Sequence, residues 1–249
     1  MLLAIYIFIL GLIIGSFLNV VIYRLPRNES IVFPASHCPE CKKRLEITDL
    51  VPVLSFIFNK AKCKYCGTKI SWQYPLVELL TGFLFLLLYV KFGLNSIFII
   101  YSLLIASLLV SSGIDIKYKI IPNKITYPGI IISLILAIFF NHISFLSSLY
   151  GIIIPGGLLL IIALIYGKGL GMGDVKLIAM IGGVLGWQHS LFAIFIGSLI
   201  GSILGLTLMV TGVMSRKTRI PFGPFISFGA IISIFYGQQI FEWYISLYF

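Results

Sequence analysis

"SLLIASLLVSSGIDIKYKIIPN", residues 102–123, sets the fold class. Its first half is apolar and uncharged, and it then breaks on Asp115, Lys117 and Lys119 before reaching Pro122. Apolar and polar residues do not alternate, which argues for helix over strand. With the residues before it, the run extends over about 95–114. That is long enough to cross a hydrocarbon layer, which takes roughly 17–25 residues at helical rise. The lysines beyond it read as a cytoplasmic flank.

The same pattern recurs at about 1–23, 73–92, 125–141, 145–167, 175–187, 189–213 and 223–248, making eight runs in all. The stretch 175–213 is divided near Gly186-Trp187-Gln188-His189, because one helix of that length would overshoot a bilayer. Composition agrees: of 249 residues 59% are hydrophobic and 10% charged, with mean hydropathy +1.09. A soluble domain carries about 25% charge. The expected fold is an all-α polytopic membrane bundle of about eight transmembrane helices. No basic residue precedes the first run, while Arg24 and Arg27 follow it. That order suits a retained helix with its N-terminus outside, not a cleaved signal.

With eight spans, the inside connections are 24–72, 115–124, 168–174 and 214–222. They carry Arg24, Arg27, Lys42, Lys43, Arg44, Lys60, Lys62, Lys64, Lys69, Lys117, Lys119, Lys124, Lys168, Arg216, Lys217 and Arg219, with Lys176 just beyond the third. Only Lys91 of the 18 basic residues falls outside. This segregation supports both the number of spans and their direction. It also accounts for the net charge of +10 by topology and lipid headgroups, without a nucleic-acid partner.

Three regions follow: a first helix over 1–23, a cytoplasmic insert over 24–72, and a seven-helix core over 73–249. The insert holds all four cysteines and four of the eight acidic residues, Glu29, Glu40, Glu46 and Asp49. "CPEC" (38–41) and "CKYC" (63–66) are two Cys-x-x-Cys pairs with 21 residues between them. Cys38, Cys41, Cys63 and Cys66 at this spacing suit a closed tetrahedral zinc site, which staples a small fold and leaves no position for catalysis. The rival is disulfide or thiol chemistry, which a cytoplasmic location disfavours. His37, beside Cys38, is a bystander to a complete four-thiolate set.

Outside the insert the acidic residues are Glu78, Asp115, Asp174 and Glu242. An Asp at the centre of a membrane helix costs about 2.5–3.5 kcal/mol on insertion scales, so such residues are functional candidates. Asp115 ends the third helix on the inside. Asp174 closes "GLGMGD" (169–174) at the inside start of the sixth. The lysine topology thus places both at one face. Two converging carboxylates can share one proton and one water, the chemistry of an aspartic protease. Gly171 and Gly173 are expected to supply backbone angles closed to other residues and room for an extended peptide, in an active-site loop that includes Lys176. The plain alternative makes Asp174 a helix cap and Asp115 an interfacial charge. Glu78, a turn into the second helix, either pairs with a basic residue of the insert or serves a site. Glu242 reads as interfacial.

Several classes find no support. There is no His-Glu-x-x-His, and His37, His142 and His189 are scattered between faces. Gly169, Gly171 and Asp174 imitate a dinucleotide fingerprint but lack its third glycine and a preceding strand. No Walker lysine occurs. A proton-coupled transporter would distribute acids through the membrane depth, whereas both aspartates lie at one face. A non-catalytic scaffold docked through the zinc insert would tolerate their loss.

Six segments in order resemble one family, the type IV prepilin peptidases among the Gly-x-Gly-Asp membrane aspartic proteases: "GSFLNVVIYRLP" (15–26), the two cysteine pairs, "YPLVELLTG" (74–82), "IDIKYKIIPN" (114–123), "GMGDVK" (171–176) and "IPFGPFISFGA" (220–230). The resemblance implies a bifunctional inner-membrane enzyme of type IV pilus or protein-secretion systems. It would cut the basic leader from prepilins or pseudopilins at the cytoplasmic face, ahead of the substrate's apolar helix, and then N-methylate the new terminus with S-adenosylmethionine. Asp115 and Asp174 match the catalytic pair, and the four cysteines match the zinc ligands. Asn19, Arg24 and Glu78 are the candidates for methyl transfer. The chain departs from the family at Lys117, where many members carry a second acid, at Asn123 in place of Asp, and at Ala61, where a glycine associated with methylation is common. The last departure leaves a peptidase without methyltransferase activity as the alternative.

Overall fold

The computed structural model describes residues 2–166, 170–213, 215 and 220–248. Lys168, Gly169, Arg216, Lys217 and Arg219, used in the readings above, lie outside the described residues. The chain divides into two units, Met1–Phe98 and Ile99–Phe249.

The first unit contains α1 (Leu2–Arg24), a short α2 (Leu54–Phe58) and α3 (Gln73–Phe92). Glycines four apart on α1 bring it hard against α3. A Cβ on Gly15 would stand 2.6 Å from the Glu78 Cα, and one on Gly11 would stand 2.7 Å from the Gly82 Cα. Small residues at this spacing let membrane helices pack backbone to backbone, where van der Waals contact replaces the hydrophobic drive that lipid cannot supply. One turn further, the buried Asn19 amide donates to the carbonyls of Gly15 (3.3 Å) and Tyr74 (3.0 Å). Between α1 and α3 the insert folds through a 3-10 turn, Ile47–Leu50, and α2.

The remaining helices are α4 (Ser96–Tyr118), which enters the second unit, then α5 (Asn123–Phe140), α6 (Phe145–Tyr166), α7 (Met172–Leu185), α8 (Trp187–Val210) and α9 (Gly223–Tyr248). Among the described residues, seven helices, all but α2 and α7, have 18 residues or more and are apolar enough to cross a membrane. The expected sixth span in chain order is α7, with 14 residues and a length of about 21 Å at 1.5 Å per residue. It forms the centre of the second unit: α5, α6, α8 and α9 all pack on it, and it is buried from Leu177 to Leu185. A helix apolar on all sides belongs in such a place. The α6 contact again uses glycines, Gly151 against Gly182, and the Ser148 hydroxyl donates to the Gly183 carbonyl at 2.6 Å. The division from α8 falls at Gly186, whose φ of +83° only glycine adopts without strain.

Candidate active site and metal centre

Asp115 lies one turn from the end of α4 and is 5% exposed. Its Oδ2 accepts the backbone N–H of Gly223 at 3.0 Å, 108 residues away. That donor is available because of how α9 begins. Pro224 has no N–H, and the Phe222 carbonyl accepts those of Phe225 (3.0 Å) and Ile226 (3.1 Å). The Gly223 N–H has no partner in its own helix turn and turns to the carboxylate. This is the usual satisfaction of a helix N-terminus by an anion.

Asp174 is 7% exposed and sits in the first turn of α7, where its Oδ2 accepts the N–H of Gly171 at 3.3 Å. Asp174 is thus not the N-cap, which is Gly171, but the third residue of the helix, and one of its oxygens accepts the N–H of that cap. The helix begins at Met172, earlier than expected, so Gly173 and Lys176 are helical and not loop residues. The expected role of the glycines also needs correcting. Neither Gly171 nor Gly173 adopts positive φ; Gly171 is extended, at φ −79° and ψ 141°. What they provide is space. A Cβ on Gly173 would stand 2.9 Å from the Ile121 Cβ, and one on Gly171 would stand 3.2 Å from Oδ2 of Asp174.

Ile121 thus lies between Gly173, the neighbour of Asp174, and Gly223, whose N–H holds Asp115. It touches the Gly173 position on α7, and its Cδ1 would be 3.1 Å from a Cβ on Gly223. The two carboxylates are within reach of each other's charge. Lys176 turns elsewhere: its ammonium donates to Asn123 Oδ1 at 2.9 Å and lies 4.9 Å from the Tyr127 ring centre. Sequence reasoning gave no part to Gly223 or Ile121, although both stand in quoted motifs. The Gly-Pro opening of α9 marks a helix start, but no local pattern says where the freed N–H points. Beyond Gly223 a groove of about 490 Å³ runs between Gly201 and Gly205 on α8 and Pro221, Phe222 and Phe225.

In the insert the two cysteine pairs adopt one geometry twice. Cys38 N–H donates to the Lys43 carbonyl (3.0 Å) as Cys63 N–H does to that of Thr68 (2.8 Å). The Cys38 carbonyl accepts from Lys42 and that of Cys63 from Gly67, both at 2.9 Å. His37 pairs with Arg44 as Lys62 does with Lys69. The fourth residue after each leading cysteine has positive φ, Lys42 at +58° and Gly67 at +73°. These turns gather all four Sγ atoms within 4.8 Å of one another. Cys38 and Cys66 are 3.8 Å apart; zinc–sulfur bonds of about 2.3 Å give a tetrahedron with edges of about 3.8 Å. The donor set fits a structural zinc. Hydrogen bonds from Thr68 hold the Cys66 thiol down at about 6, which favours the thiolate that a metal requires. Tyr65 donates to Asp49 at 2.9 Å, and that bond pushes the phenol up to about 12. His37 lies 3.0 Å from the Ala35 carbonyl, outside the thiolate set.

Asn19, Arg24 and Glu78 all fall in the first unit and all are buried. The Asn19 amide is engaged in the α1–α3 clasp described above. Arg24 donates to the Ser30 carbonyl at 3.0 Å. Glu78 accepts the Val53 N–H at 2.8 Å, so its partner in the insert is backbone and not a basic side chain.

A helical membrane unit with two buried carboxylates, Asp115 near the end of α4 and Asp174 in the first turn of α7, defines a class, the membrane aspartic peptidases; the other unit carries the cluster of four thiols. Comparison with known proteins places the chain within it. A model of the bacterial peptidase A24 N-terminal domain matches residues 9–92, and one of the type IV leader peptidase family matches residues 102–206. The chain belongs to the type IV leader peptidase family. It is 37% identical to the prepilin leader peptidase/N-methyltransferase of Bacillus subtilis, over 96% of this chain and 97% of that one. The protein of the same name from Myxococcus xanthus is 37% identical over 87% of this chain and 66% of its own. That from Pseudomonas aeruginosa is 31% identical over 96% and 92%. No solved structure matches.

Proposed function

We propose that this multi-pass inner-membrane protein cleaves the leader from prepilins or pseudopilins, with Asp115 and Asp174 as the catalytic pair at the cytoplasmic face and the N-terminus outside. One observation carries the reading. Each aspartate is buried, each has Oδ2 held by a backbone N–H at a helix start, and the two are within range of each other's charge. The two Oδ1 atoms are left for a proton and a water. The ionised carboxylate takes a proton from the water as its oxygen attacks the scissile carbonyl carbon. The protonated carboxyl gives its proton to the carbonyl oxygen. When the resulting gem-diol collapses, the C–N bond breaks, the departing amine takes the proton that the base had drawn from water, and the other, now ionised, carboxylate takes a proton back from a hydroxyl of the diol. The pair returns to sharing one proton.

The second activity is N-methylation of the amine so exposed, as the relatives' name states for them. S-adenosylmethionine would supply the methyl group. Its amino-acid end carries one carboxylate and one ammonium, and the buried guanidinium of Arg24 and carboxylate of Glu78 offer complementary charges, with Asn19 bracing the helices that carry them. Zinc on Cys38, Cys41, Cys63 and Cys66 holds the insert together.

The test is cleavage of a co-expressed prepilin. Asp115→Ala and Asp174→Ala are each expected to leave the precursor intact while the variants still insert and retain zinc. Processing by either variant at the rate of the natural chain sinks the reading. Methylation is read separately, by transfer of labelled methyl to a pre-cleaved pilin peptide. No transfer leaves a peptidase alone.

A further inference from the structure

We infer that Gly223 and Ile121 are positioning residues of the peptidase: the Gly223 N–H fixes Oδ2 of Asp115, and Ile121 spaces that arrangement from the Gly-x-Gly-Asp segment. The inference rests on the two-aspartate reading and deepens it.

Asp115 reaches its donor only because residue 223 has no side chain. A Cβ there would stand 2.8 Å from Oδ2 and 3.4 Å from Cγ of the carboxylate, so even alanine pushes the group away. The donor itself is fixed by the α9 start, where Pro224 removes one N–H and Phe222 takes the next two. A backbone N–H only donates. The oxygen facing it therefore cannot carry a proton toward it, and on Asp115 the shared proton and the water are confined to Oδ1. The same logic holds at Asp174, where Gly171 occupies Oδ2. Two carboxylates anchored in this way present one free oxygen each, and their mutual aim becomes a property of the backbone. Ile121 then sets the spacing, because its side chain meets both the Gly173 and the Gly223 positions. It carries no polar side-chain atom and acts only through the residues it separates.

The experiment uses the full chain purified in detergent, a full-length prepilin, and the variants Gly223→Ala, Ile121→Ala and Ile121→Val. Gly223→Ala should lose about a hundredfold in kcat, the scale of a catalytic group displaced by about an ångström, with KM within about twofold. Its acid limb in the kcat–pH profile should move by about half a unit or more, because one carboxylate has lost its fixed donor. Ile121→Ala should lose about tenfold in kcat by the same route, and Ile121→Val, which keeps the branched Cβ, should recover most of it. A kcat within about twofold of the natural chain for Gly223→Ala overturns the inference, as does a loss confined to KM with the acid limb unmoved. If Gly223→Ala does not accumulate, the Ile121 pair decides by the same criteria. Asp115→Ala separates the two levels. If it still cleaves, the two-aspartate reading fails; if it is dead while Gly223→Ala and Ile121→Ala are normal, only the positioning inference fails.

Discussion

Glu78, buried on α3, accepts the backbone N–H of Val53 at 2.8 Å, and so ties a membrane helix to the insert 25 residues earlier in the chain. Val53 needs the tie. It sits at φ +61° and ψ −48°, a conformation that costs a β-branched residue about 1–3 kcal/mol. A hydrogen bond to a charged acceptor contributes about 1.5–3 kcal/mol, enough to hold it there. Glu78→Ala should therefore loosen residues 51–58, seen as faster hydrogen exchange in that peptide, and should lower methyl transfer more than leader cleavage. Val53→Gly should keep the bond and relieve the strain, leaving exchange unchanged or slower. Equal loss of both activities in Glu78→Ala would place Glu78 outside the methyl-transfer site.

The α1–α3 seam predicts a stability effect unrelated to catalysis. With a Gly15 Cβ only 2.6 Å from the Glu78 Cα, even alanine forces the helices apart. Gly15→Ala should cost about 1–3 kcal/mol, the usual range for overpacking, and Gly15→Leu should prevent the first unit from assembling. Thermal unfolding of the purified variants in detergent reads this directly. An unchanged midpoint for Gly15→Leu would show that the seam does not govern stability.

The metal centre predicts one zinc per chain. Cys38→Ser should lose it, because three thiolates no longer close the shell, and the insert should become protease-sensitive between the two cysteine pairs. A chelator at neutral pH should reproduce that sensitivity in the natural chain. Since thiolates must be deprotonated to bind, protons compete with the metal, and zinc should be released as pH falls into a range below that of the metal-free thiols. Elemental analysis after dialysis at several pH values checks this. Zinc content that stays below one per chain at neutral pH would contradict the assignment.

His142, in the connection between α5 and α6, lies with Nε2 3.2 Å from the Val184 carbonyl near the end of α7. Burial holds its pKa below the ordinary value. The folded chain thus keeps the ring neutral at a pH where the unfolded chain, at about 6.5, takes a proton. This contribution is complete above about 6.5 and is lost as pH falls toward the depressed folded value. His142→Gln, which keeps a donor for Val184 but cannot titrate, should flatten the fall in unfolding temperature between about pH 7.5 and 5.5. Parallel curves for variant and natural chain would rule this out.

Much of the molecule was legible without coordinates. The apolar runs announce membrane helices because hydrocarbon admits no unpaired backbone, and that constraint writes itself into composition. The cysteine spacing specifies its own turn, so four thiolates meet where two Cys-x-x-Cys pairs predict. Asp115 and Asp174 stood out because charge in such a chain is rare and costly. Tertiary packing decided the rest. That α7 is a short buried core helix follows from four neighbours enclosing it, which no hydropathy window records. Gly173 looked like a residue chosen for its backbone angles, yet it has ordinary helical ones; its side chain is missing because Ile121 occupies the space. The partner of Asp115 is a backbone N–H 108 residues away, and backbone atoms are the same in every residue. Sequence distinguishes side chains, so it could name the two acids. Only the fold could say which amides hold them, and so how they are aimed.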